Sequence, residues 1–126
     1  KVDIRNAKQL EAKLDGGSFD QIVHLAARAG VRPSIHQPEL YFQTNVMGTL
    51  HLLEWARKRG LKKFILASSS SVYGLNEKIP FSENDLISKT ISPYASTKLA
   101  AEQLCSNYSH LHGIECLRSF FKGVFR

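Results

Sequence analysis

Three short apolar runs, separated by longer amphipathic stretches, set the framework of the chain. Residues 22–27 read Ile-Val-His-Leu-Ala-Ala, residues 64–67 Phe-Ile-Leu-Ala and residues 114–117 Ile-Glu-Cys-Leu. Each has the length and apolar character of a strand buried in a parallel sheet. Ahead of the first run, Asn6 and Gln9 are spaced as a capping box, Ala7, Leu10 and Leu14 recur at helical spacing, and Gly16-Gly17 ends the helix. A polar loop containing Pro33 and Pro38 is expected next, then a long helix over residues 39–59 with Val46, Leu50 and Leu53 on its apolar stripe and Gly60 at its end. Four serines, Ser68 to Ser71, follow the second run and lead into a turn-rich loop. Ser92-Pro93 then opens a helix running to about His112-Gly113, with serine as cap and proline in the first turn, where its missing N–H costs nothing.

Helix and strand thus alternate, which predicts an α/β fold: a Rossmann-type parallel sheet with helices on both faces. Such sheets bind ligands beyond the carboxyl ends of their strands. Residues 26–28 and 68–71 stand at those ends.

Composition narrows the class. With 126 residues the chain suits one domain, and 43% hydrophobic with 22% charged residues is ordinary for an α/β protein. No run reaches the ~20 apolar residues of a membrane span. The first residues, Lys1-Val2-Asp3-Ile4-Arg5, form no apolar signal core, and position 1 is not Met, so it is not expected to be a natural start. Cys105 and Cys116 lack metal-ligand spacing; reduced thiols, a cytoplasmic location and no metal are expected. The net charge of +6 gathers in Arg57, Lys58, Arg59, Lys62 and Lys63, at a helix end where cations complement the dipole. No nucleic-acid partner is therefore expected.

Tyr94 and Lys98 carry the chemistry. Four apart near a helix start, their side chains share one face. A phenol ordinarily titrates near 10, and an adjacent ammonium in a desolvated cleft favours the phenolate. Alone, such a pair reads most simply as a solvated surface couple, and the serines as a polar loop or cap. The serine run at the end of the preceding strand raises the reading, because a hydroxyl there could hydrogen-bond the same substrate oxygen as Tyr94.

Ala67-Ser68-Ser69-Ser70-Ser71-Val72-Tyr73-Gly74 followed by Ser92-Pro93-Tyr94-Ala95-Ser96-Thr97-Lys98 resembles the extended short-chain dehydrogenase/reductases, the group of nucleotide-sugar epimerases and dehydratases. The resemblance extends to Asp3-Ile4-Arg5, His24-Leu25-Ala26-Ala27 and Thr44-Asn45-Val46-Met47-Gly48-Thr49, in family order over residues 1–118. It implies Tyr94 as general base, Lys98 on the nicotinamide ribose and Ser69 on the reacting hydroxyl. It further implies Asp3 and Ile4 at the adenine, Ala26, Ala27, Arg28 and Ser68 along the cofactor, Thr44 near them, and Arg32, Ser70 and Ser71 toward substrate. Asn45 is expected to shape its helix, His24 to be an inert strand residue and Gly48 to permit close helix–sheet packing. The implied cofactor is NAD, with NADP left open. The implied partner is a UDP-linked sugar, and relatives pair as homodimers through the helices carrying Asn45 and Tyr94.

Ala29-Gly30-Val31-Arg32-Pro33-Ser34, with Asn76, Ile79, Pro80, Phe81, Ser82 and Glu83, looks most like UDP-glucuronate 4-epimerases. Sugar 4,6-dehydratases and decarboxylases carry acidic residues where this chain has Ser70 or Ser71, so transient oxidation at sugar C4 is the better fit. The family's glycine-rich fingerprint is not among the glycines at 16, 17, 30, 48, 60, 74, 113 and 123. Residues 119–126 depart from the family pattern, and the substrate-binding C-terminal domain is expected to be missing. The expectation is a partial NAD(P)-binding domain over residues 1–126, lacking its first βαβ part, inactive by itself, marginally stable and prone to self-association. The alternatives are a non-catalytic remnant or binding module, or a dehydratase or decarboxylase piece.

Overall fold

The structure, a computed structural model, describes residues 2–74 and 89–119. The subfamily signature at residues 76–83 and, apart from Ser119, the divergent end at residues 119–126 lie outside the described residues. Strands β1 (Ile22–His24), β2 (Lys63–Ala67) and β3 (Glu115–Ser119) form one parallel sheet in the order β1-β2-β3. Ile22 aligns with Phe64 and Phe64 with Cys116; Val23 aligns with Ile65 and Ile65 with Leu117.

Capping chemistry acts where the sequence places it. Helix α1 (Ala7–Leu14) starts at Asn6, whose side chain accepts from the Gln9 N–H at 3.1 Å. Two helices, α2 (Val31–His36) and α3 (Pro38–Tyr41), occupy the expected polar loop, because Pro33 and Pro38 lie in first turns, where proline forfeits no helical hydrogen bond. The long helix predicted for residues 39–59 is present in three parts: α3, a π-helical segment Phe42–Met47 and α4 (Gly48–Lys58). Helix α5 (Pro93–His112) starts at Ser92, which accepts from the Ala95 N–H at 3.1 Å. It stops at Gly113, whose φ of 64° is the left-handed conformation glycine adopts without strain.

Strand β1 is shorter than the apolar run that encodes it. Its pairing ends at His24 opposite Leu66, and Leu25, Ala26 and Ala27 continue exposed beyond it. The sheet is two-faced. Ile22, His24, Phe64, Leu66 and Cys116 point toward α4 and α5, where Leu52, Leu53, Trp55, Ala56, Ala101 and Cys105 complete a core with Leu10 of α1. At roughly 1.5–3 kcal/mol for each fully buried large side chain, this layer dominates the stabilisation. The opposite face carries Val23, Ile65 and Leu117 in register; Val23 is 50% and Leu117 55% exposed. Helices were expected on both faces; among the described residues they cover one.

Candidate functional site

The start of α5 lies against the carboxyl end of β2, and this junction gathers the predicted chemistry. Tyr94 occupies the first turn, half-buried, with its ring edge-on to Tyr41 at a centroid distance of 6.2 Å. Its backbone N–H, one of the amides that a helix start leaves unpaired, donates to Ser34 Oγ at 3.1 Å. Ser34 is fully buried and passes its own proton to the Val31 carbonyl at 2.6 Å, so α2 seats the tyrosine.

Lys98 follows one turn later and is 6% exposed. Its ammonium donates to the carbonyl oxygen of Ala67, the last residue of β2, at 2.7 Å. Burial pushes the ammonium below its ordinary range, with the carboxylate of Glu102 opposing that shift. Glu102, another turn on, is 3% exposed and accepts from the Ser68 hydroxyl; Arg118 Nη1 stands 3.6 Å from its other oxygen. Ser68 thus turns its hydroxyl into the β2–α5 contact. Ser69 caps a short 3₁₀ turn, Ser70–Tyr73, by accepting from the Ser71 N–H at 3.2 Å, which leaves its own proton to donate. Ser70 is exposed and Ser71 half-buried.

The end of β1 reaches the same junction through Asn45. Its side chain takes the Arg28 N–H at 2.8 Å, returns a bond to the Arg28 carbonyl at 3.0 Å and donates to Thr97 Oγ1 at 3.0 Å. Thr97 in turn donates to the Tyr94 carbonyl at 2.7 Å. One amide therefore ties β1's continuation to α5, from within the π-helical segment; such segments occur often at functional sites. Thr44 is half-buried beside it, Ala26, Ala27 and Arg28 are exposed, and Arg32 is exposed on α2. The Arg28 guanidinium lies 5.7 Å from the Tyr41 ring centroid.

Asp3 and Ile4 form a separate corner. The Asp3 carboxylate pairs with Arg5 at 2.5 Å and borders an open cavity of about 560 Å³, shared with Gln9, Gln43 and His51. Ile4 donates nothing to that cavity; its carbonyl receives the His51 Nδ1 proton at 2.9 Å and its side chain packs on Gly48. Gly48 thus admits Ile4, whereas helix–sheet packing was expected of it. His24 is buried, and its Nε2 donates at 2.9 Å to the Thr49 hydroxyl, which donates to the Asn45 carbonyl at 2.6 Å.

Lys98 and Glu102 of α5 thereby reach Ala67 and Ser68 at the end of β2, and Arg28 is linked through Asn45 and Thr97 to the Tyr94 backbone, while Asp3 and Ile4 stand apart. Sequence reasoning missed Glu102, although its position four residues beyond Lys98 was visible. It also undervalued Asn45, and gave no sign of Ser34 or Tyr41, which come from distant positions. Among the described residues no group of metal-binding side chains converges and no helix is long and apolar enough to cross a membrane.

Residues 1–122 match the family model described as GDP-mannose 4,6 dehydratase. The chain belongs to the extended short-chain dehydrogenase/reductases, the family of epimerases and dehydratases. An uncharacterized protein of Methanocaldococcus jannaschii is 46% identical over 99% of the chain and 38% of its own length. UDP-glucuronate 4-epimerase of Thermodesulfobacterium geofontis is 43% identical over 90% of the chain and 35% of its own length. The crystal structure of Thermus thermophilus UDP-glucose 4-epimerase in complex with NAD superposes with a TM-score of 0.86 at 31% identity, over 93% of this chain and 38% of that one. The Rossmann-like reading is borne out, and this chain spans little more than a third of these relatives.

Proposed function

We propose that these residues form the reacting end of an NAD-dependent nucleotide-sugar 4-epimerase site acting on UDP-glucuronate-like substrates. The observation that carries the reading is the junction itself. Tyr94 and Lys98 rise from one helix turn beside the serine end of β2, in a chain 43% identical to a UDP-glucuronate 4-epimerase.

An adenine dinucleotide suits the donor set: an exposed carboxylate beside an open cavity at Asp3, and exposed residues at 26–28 beyond the end of β1. Asp3 and Ile4 would hold the adenine end, Ala26, Ala27, Arg28, Thr44 and Ser68 the middle, and Lys98 the nicotinamide ribose. The bound dinucleotide supplies reversible hydride acceptance at sugar C4. The chain's own residues handle the proton. Tyr94 takes it from the C4 hydroxyl and returns it after the sugar has turned, while Ser69 donates to the same oxygen and fixes its position. Arg32, Ser70 and Ser71 would contact the sugar. No carboxylate stands at Ser70 or Ser71, which favours epimerisation over dehydration, since dehydration needs an additional acid and base.

Isothermal titration of the 126-residue chain with NAD⁺, after a cooperative melt is established, tests the reading. The expected result is submillimolar binding that disappears in Lys98→Ala and persists in Tyr94→Phe. A folded chain that binds no NAD⁺ would leave the reading as ancestry alone.

A further inference from the structure

The two cysteines take no part in the site described above. Cys105 lies on α5, 1% exposed, on the helix face that also carries Lys98 and Glu102. Cys116 lies on β3, half-buried and packed against the core cluster that holds Cys105, and both thiols are free. A cleft of about 340 Å³ opens onto the pair between α5 and β3, lined also by Ser109, His110 and Arg118. The contact is asymmetric. A hydrogen-bonding interaction with Cys105, aided by the charge of Arg118, holds the Cys116 thiol below its ordinary range against the effect of burial. The same interaction, together with burial, pushes the Cys105 thiol up. Both cysteines line this cleft, the half-buried Cys116 more open to solvent than Cys105 at 1% exposed. Two small thiols meeting in a core would have neither the cleft nor the guanidinium.

We propose that Cys116 and Cys105 form a peroxide-responsive thiol pair, in which Cys116 is oxidised first and Cys105 closes a disulfide between β3 and α5. The Cys116 thiolate attacks one oxygen of hydrogen peroxide and the O–O bond breaks. The departing hydroxide takes up the proton the thiol had released, leaving one water and a sulfenic acid on Cys116. The Cys105 sulfur then attacks the Cys116 sulfur. The S–O bond breaks, and the hydroxyl leaves as a second water with the Cys105 proton. Two thiols lose two electrons, and peroxide is reduced to two waters. This pair is independent of the catalytic reading, because neither sulfur touches the residues assigned to substrate or cofactor.

The test is peroxide treatment of the folded 126-residue chain, read by intact mass and peptide mapping without reductant. The expected product is a monomer lighter by two hydrogen atoms, its Cys105 and Cys116 peptides linked, and restored by dithiothreitol. In Cys105→Ser the reaction stops at a Cys116 sulfenic acid that a dimedone probe traps, whereas folded Cys116→Ser takes up no probe at Cys105. Where a serine variant does not fold, limiting alkylation of the wild-type chain decides, with Cys116 expected to react about tenfold or more faster than Cys105. Equal reaction at the two sulfurs would overturn the proposal. So would thiols that survive peroxide sufficient to oxidise glutathione, or disulfides formed only between chains.

Discussion

His24 shows how a single buried side chain couples this fold to pH. Its ring is 5% exposed and donates to Thr49, and burial, with the charge of Lys98 as a second cause, pushes its pKa down from 6.5 to about 4. Folded chain therefore stays neutral at His24 between those values, while unfolded chain takes up a proton. Stability is complete above pH 6.5 and is lost as pH falls toward 4, by about 3 kcal/mol in all. Urea melts at pH 7 and pH 4.5 should show this difference, and His24→Gln should remove most of it. The Asp3 and Glu54 carboxylates, held at about 2 by Arg5 and by Arg57 with Tyr108, lose their contributions as pH falls from 3.8 and 4.5 toward 2, so only Glu54 overlaps the lower end of this window. An equal pH slope in His24→Gln would assign the effect elsewhere.

At the scale of elements, the informative joint is the one between α4 and the Asp3–Ile4 segment. A Cβ at Gly48 would lie 2.5 Å from Ile4 Cδ1 and 2.7 Å from Cγ1. Helix propensity alone makes Gly→Ala favourable by about 1 kcal/mol. Overpacking a fitted contact costs about 1–3 kcal/mol, and here both the terminal methyl and Cγ1 of Ile4 have to move. Gly48→Ala is therefore expected to lower the midpoint of chemical unfolding, and to weaken NAD⁺ titration by moving Asp3. A stabilised variant would show that Ile4 repacks at no cost. The π-helical segment has a comparable logic: it places Asn45 where one amide serves both backbone groups of Arg28 and the Thr97 hydroxyl.

The molecule as a whole is unequally covered. Val23, Ile65 and Leu117 make an apolar row across all three strands, Leu25 beyond them is 60% exposed, and β1 offers an unpaired edge among the described residues. Exposed rows and edges of this kind drive association. Sedimentation velocity of the chain should show concentration-dependent self-association, reduced in Val23→Lys and further in a Val23→Lys, Leu117→Glu double variant. A monomer at every concentration would contradict this.

The sequence by itself determined what depends on neighbours along the chain. Asn6 and Ser92 announce their helices because a cap bonds an amide three residues away, and Gly113 ends α5 because the required backbone conformation is local. The apolar runs marked all three strands, and Tyr94 and Lys98 shared a face because helical spacing imposes it. Other features were decided only in three dimensions. The apolar run at residues 22–27 did not reveal that pairing stops at His24, since strand length is set by the partner strand. Pro33 read as a loop residue, because a first-turn proline and a loop proline look alike until the helix around them is known. Ser34 under Tyr94, Glu102 against Ser68 and Cys105 against Cys116 join positions from different elements or bury groups that usually stay in water. Burial and long-range hydrogen bonding are properties of the packed chain, so they followed from tertiary structure alone.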